Sequence, residues 1–161
     1  MDQNPTPADV VEPPRGFLPA RVDEKGRLKL PVAVQQYLAS FGQEKVFITS
    51  LDTRIARIYP ISVWKENEIF FEQASEDPDA AEDVAFIAAY LGADSEPDGQ
   101  GRLLLPTDLR RTLNLENQQV WLSCYKGRIN VFSKEIFEQR KQRALGGLDE
   151  KLRLLERRGF R

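Results

Sequence analysis

A short sequence pattern that occurs twice constrains the fold of this chain more than any other feature. Residues 23–31 and residues 98–106 both read D-x-x-G-R-L-x-L-P, and a leucine follows each copy at the same distance, Leu38 and Leu113. Two matches of this length at one offset indicate an internal repeat, in which each copy belongs to one structural unit. The chain is therefore predicted to build its core from two similar units.

Each copy of the pattern predicts a tight turn, a short strand and then a helix. Gly26 and Gly101 are expected to adopt a positive φ, and Asp23 and Asp98 are expected to accept hydrogen bonds from nearby backbone amides. In the first copy leucine alternates with cationic residues after the glycine, as in a strand with one buried face, and the proline after each strand suits the first turn of a helix. Further strands are predicted over residues 46–50, 54–59, 120–125 and 128–132, and a helix over residues 78–91.

The size of each unit predicts that the two units share one core. A unit of roughly 50 residues buries too little surface to be comfortable alone, and its strands would leave exposed edges. Interleaving the hairpins of both units as a pseudo-two-fold pair removes both problems. The predicted fold class is α+β with a mainly β core: one barrel built from two tandem repeats and decorated by helices. The predicted organisation is a disordered Pro- and acid-rich arm over 1–14, a first repeat over 15–76, a linking helix over 77–91, a second repeat over 92–143 and a basic C-terminal helix or tail over 144–161.

The composition argues against an enzyme, a metal site and a membrane protein. The chain has no histidine, which is the commonest general base and metal ligand, and its one cysteine, Cys124, is expected to be a small core residue. No apolar stretch approaches the roughly 20 residues needed to cross a bilayer, and the N-terminus does not resemble a signal peptide. We therefore expect a soluble intracellular protein with no catalytic residues, no cofactor, no metal and no small-molecule substrate.

Charge is distributed unevenly along the chain, although the formal net charge is only −2. There is no lysine or arginine between residues 66 and 98, whereas residues 140–161 are rich in both. Leucines with the spacing of an amphipathic helix lie in that basic segment: Leu148, Leu152 and Leu155. Such asymmetry points to partners, and the basic helix is expected to be part of the core, an oligomer contact or a frayed tail.

The order of the elements resembles a known bacterial barrel. A D-x-x-G-R turn followed by a short strand, L-P and a helix is similar to the signature of the swapped-hairpin AbrB-type barrel of transition-state regulators and antitoxins. A tandem of two such units in one chain resembles the MraZ family of bacterial transcriptional regulators, over about residues 15–143. Three further features agree with that family in order and spacing: Arg15-Gly16 before the first turn, Tyr59-Pro60 followed by Trp64, and Leu91-Gly92 before Asp98.

The resemblance implies a function in transcription. It implies sequence-specific binding to double-stranded DNA, regulation of the chain's own cell-division and cell-wall operon, and a cytoplasmic, nucleoid-associated location. It also implies ring-like homo-oligomers that bind repeated promoter boxes. The sequence leaves one alternative open: an antitoxin-like or adaptor module that docks a protein partner through the acidic linking helix over 77–91 and the basic C-terminal segment over 144–161, without specific DNA readout.

Cationic side chains around the two turns are the candidate DNA contacts: Arg21, Lys25, Arg27, Lys29 and Arg102. Arginine can form two hydrogen bonds with guanine, so Arg27 is the main candidate for base recognition, whereas Lys25 and Lys29 suit phosphates. The alternative for Arg27 and Arg102 is a purely structural ion pair with the aspartate of the same turn. Both readings remain open at this point.

Two apolar residues are predicted to point outward from their strands. Alternation along the strand places Leu104 and Trp121 on the outer side of the barrel. They either meet another subunit, as exposed apolar patches often do, or lie beneath the helix that is expected to close the second repeat after Ser133.

Overall fold

A computed structural model describes residues 12–161 of the chain. The strands are β1 (Leu18–Val22), β2 (Arg27–Lys29), β3 (Val46–Ser50), β4 (Ala56–Pro60), β5 (Ala93–Ser95), β6 (Arg102–Leu104), β7 (Gln118–Tyr125) and β8 (Arg128–Ser133). The helices are α1 (Val32–Ala39), α2 (Ile61–Gln73), α3 (Pro78–Leu91), α4 (Thr107–Thr112), α5 (Lys134–Leu145) and α6 (Leu148–Arg157). Residues 1–11 of the predicted N-terminal arm lie outside the described residues.

The eight strands form one antiparallel sheet in the order β5-β3-β4-β8-β7-β1-β2-β6. Four of its pairings, β1 with β7, β2 with β6, β3 with β5 and β4 with β8, join strands of different repeats. The two end strands of this order, β5 and β6, are consecutive in the chain and are connected by the second D-x-x-G-R turn, so the sheet curls into a nearly closed barrel. The predicted fold class, a mainly β barrel of two interleaved repeats with surrounding helices, is confirmed.

Leucines at matching positions of the two repeats line the barrel interior. Leu28 and Leu30 follow the first turn, Leu103 and Leu105 follow the second, and each is at most 1% exposed. Burying a leucine side chain contributes roughly 1.5–3 kcal/mol. All four belong to one continuous apolar cluster, so the two repeats depend on each other for a closed core.

Three strands differ from the expectation drawn from the sequence, and one of them, β7, begins at Gln118, two residues before its expected start. The strand expected over residues 54–59 begins at Ala56, because the Asp52 carboxylate accepts hydrogen bonds from the backbone N–H groups of Arg54 and Ile55, at 2.9 and 3.0 Å, and holds them in a turn. A short strand, β5, precedes the second turn and pairs with β3. Its sequence, Ala-Asp-Ser, has no apolar alternation that would indicate a strand.

Helices cover the outside of the barrel. Helix α2 packs on β3 through Trp64, which stacks on Phe47 with ring centroids 4.5 Å apart. Helix α3 crosses the same strand, where the Thr49 hydroxyl donates a 2.7 Å hydrogen bond to the backbone oxygen of Ala88. Helix α5, capped by the Ser133 hydroxyl, packs on β7 and β8. The last helix, α6, has no buried residue.

Candidate nucleic-acid interface

The first repeated turn is held by the carboxylate at its start. One oxygen of Asp23 accepts hydrogen bonds from the backbone N–H groups of Lys25 and Arg27, both at 2.9 Å, and the other accepts one from Arg27 Nε at 2.7 Å. Gly26 has a φ of 84°, in the region that favours glycine. These hydrogen bonds, above all the one from the Arg27 backbone, lower the pKa of Asp23 to about 2, so the carboxylate stays ionised at neutral pH.

The second turn repeats this arrangement. Asp98 accepts hydrogen bonds from the backbone N–H groups of Gln100 and Arg102, both at 2.9 Å, and from Arg102 Nε at 2.8 Å. Gly101 has a φ of 73°. The hydrogen bond from the Arg102 backbone is the main cause of a lowered pKa at Asp98. The same pattern therefore forms the same turn at two places in the chain.

The two turns are tied to each other. Leu30 donates a backbone hydrogen bond of 3.0 Å to the oxygen of Gly101, and Leu105 donates one of 2.9 Å to the oxygen of Gly26. Each bond runs from the end of one motif copy to the glycine of the other copy. Each repeat thus positions the turn of its partner repeat, and the two turns lie as a pseudo-symmetric pair.

A helix side chain lies directly against each turn glycine. Arg110 of α4 donates a 3.0 Å hydrogen bond to the last leucine of the second motif copy, and a Cβ on Gly26 would overlap its guanidinium. Gln35 of α1 donates a 2.7 Å hydrogen bond to the last leucine of the first copy, and a Cβ on Gly101 would overlap its amide. Sequence reasoning missed both supporting residues. The repeat could have indicated them, since each residue follows the proline of its motif copy by four positions.

The outer sides of β2 and β6 bring the main candidate side chains together. The strand register places Arg27 opposite Leu104 and Lys29 opposite Arg102, while the residue between them on each strand is buried. We call these four residues the β2–β6 face. It combines three cations with one leucine that is 56% exposed.

The ion pairs foreseen as the structural alternative are present on this face. Arg27 Nε lies 2.7 Å from the Asp23 carboxylate, and Arg102 Nε lies 2.8 Å from that of Asp98. Neither side chain is fully buried, since 34% of the Arg27 side chain and 28% of the Arg102 side chain are exposed. An arginine held through Nε has a fixed orientation and can still present its terminal NH₂ groups to a ligand.

The other predicted cations have different contacts. Lys29 Nζ contacts the backbone oxygen of Gln100, so this side chain reaches from β2 to the turn of the second repeat. Arg21 donates a 2.8 Å hydrogen bond from Nη2 to the side-chain oxygen of Asn117. Lys25 is exposed near the tip of the first turn. The structure therefore brings Lys29 onto the same face as Arg27, whereas Arg21 lies on β1 and is held towards the segment before β7.

The two predicted interface residues have different surroundings. Leu104 lies exposed on the β2–β6 face. Trp121 stacks on Phe137 of α5, with ring centroids 4.7 Å apart and ring planes inclined by only 8°. Helix α5 thus covers one face of the Trp121 ring, and a subunit contact through these two residues stays a prediction.

Residues 12–161 contain no group of three or more His, Cys, Asp or Glu side chains placed to hold a metal ion. In the same range, no helix has both the length and the apolar character needed to cross a bilayer. Cys124 is partly buried against the core, and this burial raises the pKa of its thiol. Its thiolate form is therefore scarce at neutral pH.

Sequence comparison with known proteins identifies the family. The chain is 35% identical to the transcriptional regulator MraZ of Acidobacterium capsulatum, over 78% of this chain and 85% of that protein. The chain belongs to the MraZ family. It is also 30% identical to the MraZ regulator of Koribacter versatilis, over 65% of this chain and 71% of the relative, and 27% identical to that of Nitrosospira multiformis, over 84% and 91%.

The sequence model of the MraZ family, described as "MraZ protein, putative antitoxin-like", matches residues 90–155. This range begins just before β5, contains the second turn and ends within α6. Together with the longer matches to the MraZ relatives, it confirms the resemblance drawn from the repeated turn. The β2–β6 face is the surface of this MraZ-family chain on which both motif copies converge.

Proposed function

We propose that this MraZ-family chain regulates transcription by binding double-stranded DNA through the β2–β6 face. The observation that carries the proposal is the register of β2 with β6, which brings Arg27, Lys29 and Arg102 from both motif copies onto one outward surface. The relatives named above are transcriptional regulators. A two-stranded β-ribbon fits the major groove of B-DNA, which is roughly 12 Å wide.

Arg27 is the residue that we assign to base recognition. Its Nε is bound to Asp23, so the guanidinium is oriented before DNA arrives and loses little conformational entropy on binding. The terminal NH₂ groups supply the two donors that O6 and N7 of a guanine accept. The ionised Asp23 beside it repels phosphate, which favours a base edge over the DNA backbone as the partner. Arg102, held in the same way by Asp98, is assigned the equivalent contact.

The lysines and Arg21 supply affinity without sequence information. Lys25 at the tip of the first turn and Lys29 on the β2–β6 face are assigned to phosphates, which a compact ammonium binds as a point charge. Arg21 lies on β1, outside the β2–β6 face, and is assigned a peripheral phosphate contact. Contacts of this kind release counterions, so the observed affinity is expected to fall as the salt concentration rises.

The remaining parts of the proposal extend from family membership. The two repeats, residues 15–76 and 92–143, form one binding unit that acts without catalysis. Several units assemble into a ring-like homo-oligomer on repeated promoter boxes of the chain's own cell-division and cell-wall operon, in the nucleoid region of the cytoplasm. Linking several weak contacts in one assembly raises the overall affinity through effective concentration.

The test compares two arginine variants on DNA from the chain's own upstream region. Arg27→Ala is expected to lose roughly 1–3 kcal/mol of discrimination at one base pair, which is about 5- to 150-fold in affinity. Arg54→Ala is the matched control, because Arg54 is exposed away from the β2–β6 face and donates to Gln139 of α5. It should leave sequence preference unchanged. Gel shifts with wild-type and single-base-substituted boxes measure both quantities, and circular dichroism confirms that each variant is folded.

A third variant separates the loss of the cation from the loss of the ion pair. Asp23→Asn retains the side-chain oxygen that caps the turn but removes the charge that orients Arg27. It should bind DNA at least as tightly as the wild type, with weaker discrimination between boxes. A folded Arg27→Ala variant whose affinity and discrimination both match those of Arg54→Ala would refute the proposed function.

A second candidate function is an antitoxin-like or adaptor module without specific DNA readout. Two observations favour it: the wording of the family description, and the ion pairs that hold both Arg27 and Arg102 to carboxylates of their own turns. In that case the two arginines serve the turns alone. The same experiment discriminates between the candidates, because this one predicts unchanged DNA binding in folded Arg27→Ala.

A further inference from the structure

The last helix of the chain has an apolar stripe that nothing in residues 12–161 covers. Helix α6 has 10 residues and no buried side chain. Leu148, Leu152 and Leu155 recur at helical spacing along one side, and each is between 42% and 49% exposed. An isolated helix shorter than about 12 residues is marginally stable in water. Helix α6 therefore needs a surface on which this leucine stripe can pack.

An apolar groove lies between α2 and α3. Two adjoining cavities of about 450 and 460 Å³, which share Phe71, form this groove. Most of its wall is apolar and comes from both helices: Trp64, Phe70, Phe71, Val84, Ala85 and Ala89. Phe70 is 67% exposed although it stands beside this apolar surface. The α2–α3 groove is thus open to an apolar occupant.

The α2–α3 groove and the C-terminal segment carry opposite charges. Glu68, Glu72, Glu76 and Asp77 line the groove, and no lysine or arginine occurs between residues 66 and 98. The segment from α6 to the C-terminus has a net charge of +2, because five cations, Lys151, Arg153, Arg157, Arg158 and Arg161, outnumber three acids, Asp149, Glu150 and Glu156. Opposite net charges of this kind attract two surfaces to each other and favour one relative orientation.

We propose that α6 of one copy of this chain packs its leucine stripe into the α2–α3 groove of a second copy. The stripe and the groove are both exposed within a single chain, so α6 does not occupy its own groove. Leucines at positions i, i+4 and i+7 that enter an apolar groove are a common mode of helix recognition. This proposal rests on the homo-oligomer of the proposed function and names the two surfaces that form it.

The contact joins different surfaces of the two copies. Each chain offers one α6 and one groove, so every copy donates to one neighbour and accepts from another. A head-to-tail contact of this kind generates a closed ring if the rotation between neighbours closes, and an open chain if it does not. The β2–β6 face, including Leu104, belongs to neither surface, so this contact leaves that face uncovered in every copy.

The leucine stripe is tested by a variant with two acidic substitutions, Leu152→Glu/Leu155→Glu. These put negative charge where the groove is apolar and its border is acidic. The matched control is Leu154→Glu, because Leu154 is 45% exposed on the same helix but does not belong to the stripe. Sedimentation velocity without DNA should show that the stripe variant loses the assembly of the wild type and that the control keeps it.

The groove is tested by Ala85→Lys/Ala89→Lys, which adds bulk and charge of the same sign as the net charge of the segment from α6 to the C-terminus. Both alanines lie on the surface of α3, and lysine is a good helix former, so the fold is expected to tolerate the change. The matched control is Phe86→Lys, because Phe86 is 70% exposed on α3 and does not line the groove. The groove variant should lose assembly and the control should keep it.

Mixing the stripe variant with the groove variant tests whether the two surfaces meet each other. The stripe variant retains an intact groove, and the groove variant retains an intact α6. In an equimolar mixture, α6 of the groove variant can therefore pack into the groove of the stripe variant, and no second native contact can form. The expected result is two species that are monomeric alone and form a 1:1 dimer when mixed. A monomeric wild type, full assembly by either variant alone, or a mixture without dimers would each overturn the proposal.

The failure of this proposal is distinguishable from the failure of the proposed function. Assembly is measured without DNA, and both variants keep every residue of the β2–β6 face. The two monomeric variants should bind a DNA fragment with a single box with equal affinity and with the discrimination that depends on Arg27. If the mixed dimer forms but no variant binds DNA specifically, the interface stands and the DNA-binding proposal falls.

Discussion

Alanine in place of Gly26 perturbs the first turn in two ways that the structure separates. A residue with a Cβ pays roughly 1–2 kcal/mol to adopt a left-handed conformation, and Gly26 has a φ of 84°. The new Cβ also overlaps the guanidinium of Arg110, which must move and give up its hydrogen bond to Leu105. Losing a hydrogen bond from a charged donor costs about 1.5–3 kcal/mol, part of which the flexible Arg110 recovers by relaxing. We therefore expect Gly26→Ala to lower the free energy of unfolding by roughly 2–4 kcal/mol.

Three other glycines serve as controls for the two causes. Gly16 has the same φ of 84°, but a Cβ added there would meet nothing within 4 Å, so its replacement by alanine measures backbone strain alone. Gly99 has neither a positive φ nor a neighbour within 4 Å of such a Cβ, and alanine there should be neutral or stabilise by about 0.4–1 kcal/mol. Gly101 is in the situation of Gly26, but the displaced group is the uncharged amide of Gln35, so the cost should be smaller than at Gly26.

Urea denaturation followed by tryptophan fluorescence measures these differences, since Trp64 and Trp121 both lie in packed surroundings that unfolding exposes. For a chain of this size, each kcal/mol should also lower Tm by roughly 2–4 °C. The expected order of destabilisation is Gly26→Ala, then Gly101→Ala, then Gly16→Ala. If Gly26→Ala lowers the free energy of unfolding no more than Gly16→Ala does, the contact between Arg110 and the first turn does not stabilise the protein, which would refute this prediction.

Two further predictions concern titratable groups. Hydrogen bonds lower the pKa of Asp23 from 3.8 to about 2, so the stability that this carboxylate contributes is complete above about pH 4 and is lost as the pH falls through 2. The difference in urea midpoint between wild type and Asp23→Asn should therefore shrink over that window, and a difference that is constant from pH 7 to pH 2 would contradict this account. Burial raises the pKa of the Cys124 thiol, so a thiol reagent at neutral pH should react more slowly with the folded protein than with the protein in urea. Equal rates in the two states would show that this thiol is not protected.

The turns could be predicted from the sequence because their contacts are local. Asp23 binds residues two and four positions further along, and Asp98 does the same in the second copy. An aspartate at the start, a glycine near the end and an alternating strand after it are sufficient to define such a turn. The repetition then indicated two units, and their small size indicated a shared core.

The arrangement of the β2–β6 face could not be predicted in the same way. Each strand has only three residues, and the pairing of Arg27 with Leu104 joins parts of the chain that are far apart in sequence. A shift of this pairing by one residue would direct opposite sides of the strands outward, and the buried leucines of both strands select the observed register. The contacts of Lys29 with Gln100 and of Arg21 with Asn117 follow from this packing.

The sequence by itself determined that two copies of one turn exist, that each carries an arginine beside an aspartate, and that neither unit closes a core alone. Only the tertiary structure decided that β2 and β6 lie side by side and share one cationic face, and that α6 and the α2–α3 groove are left uncovered. The physical reason is the range of the interactions. Turn chemistry and alternation act over a few residues, whereas strand register and helix packing depend on how the whole apolar core closes.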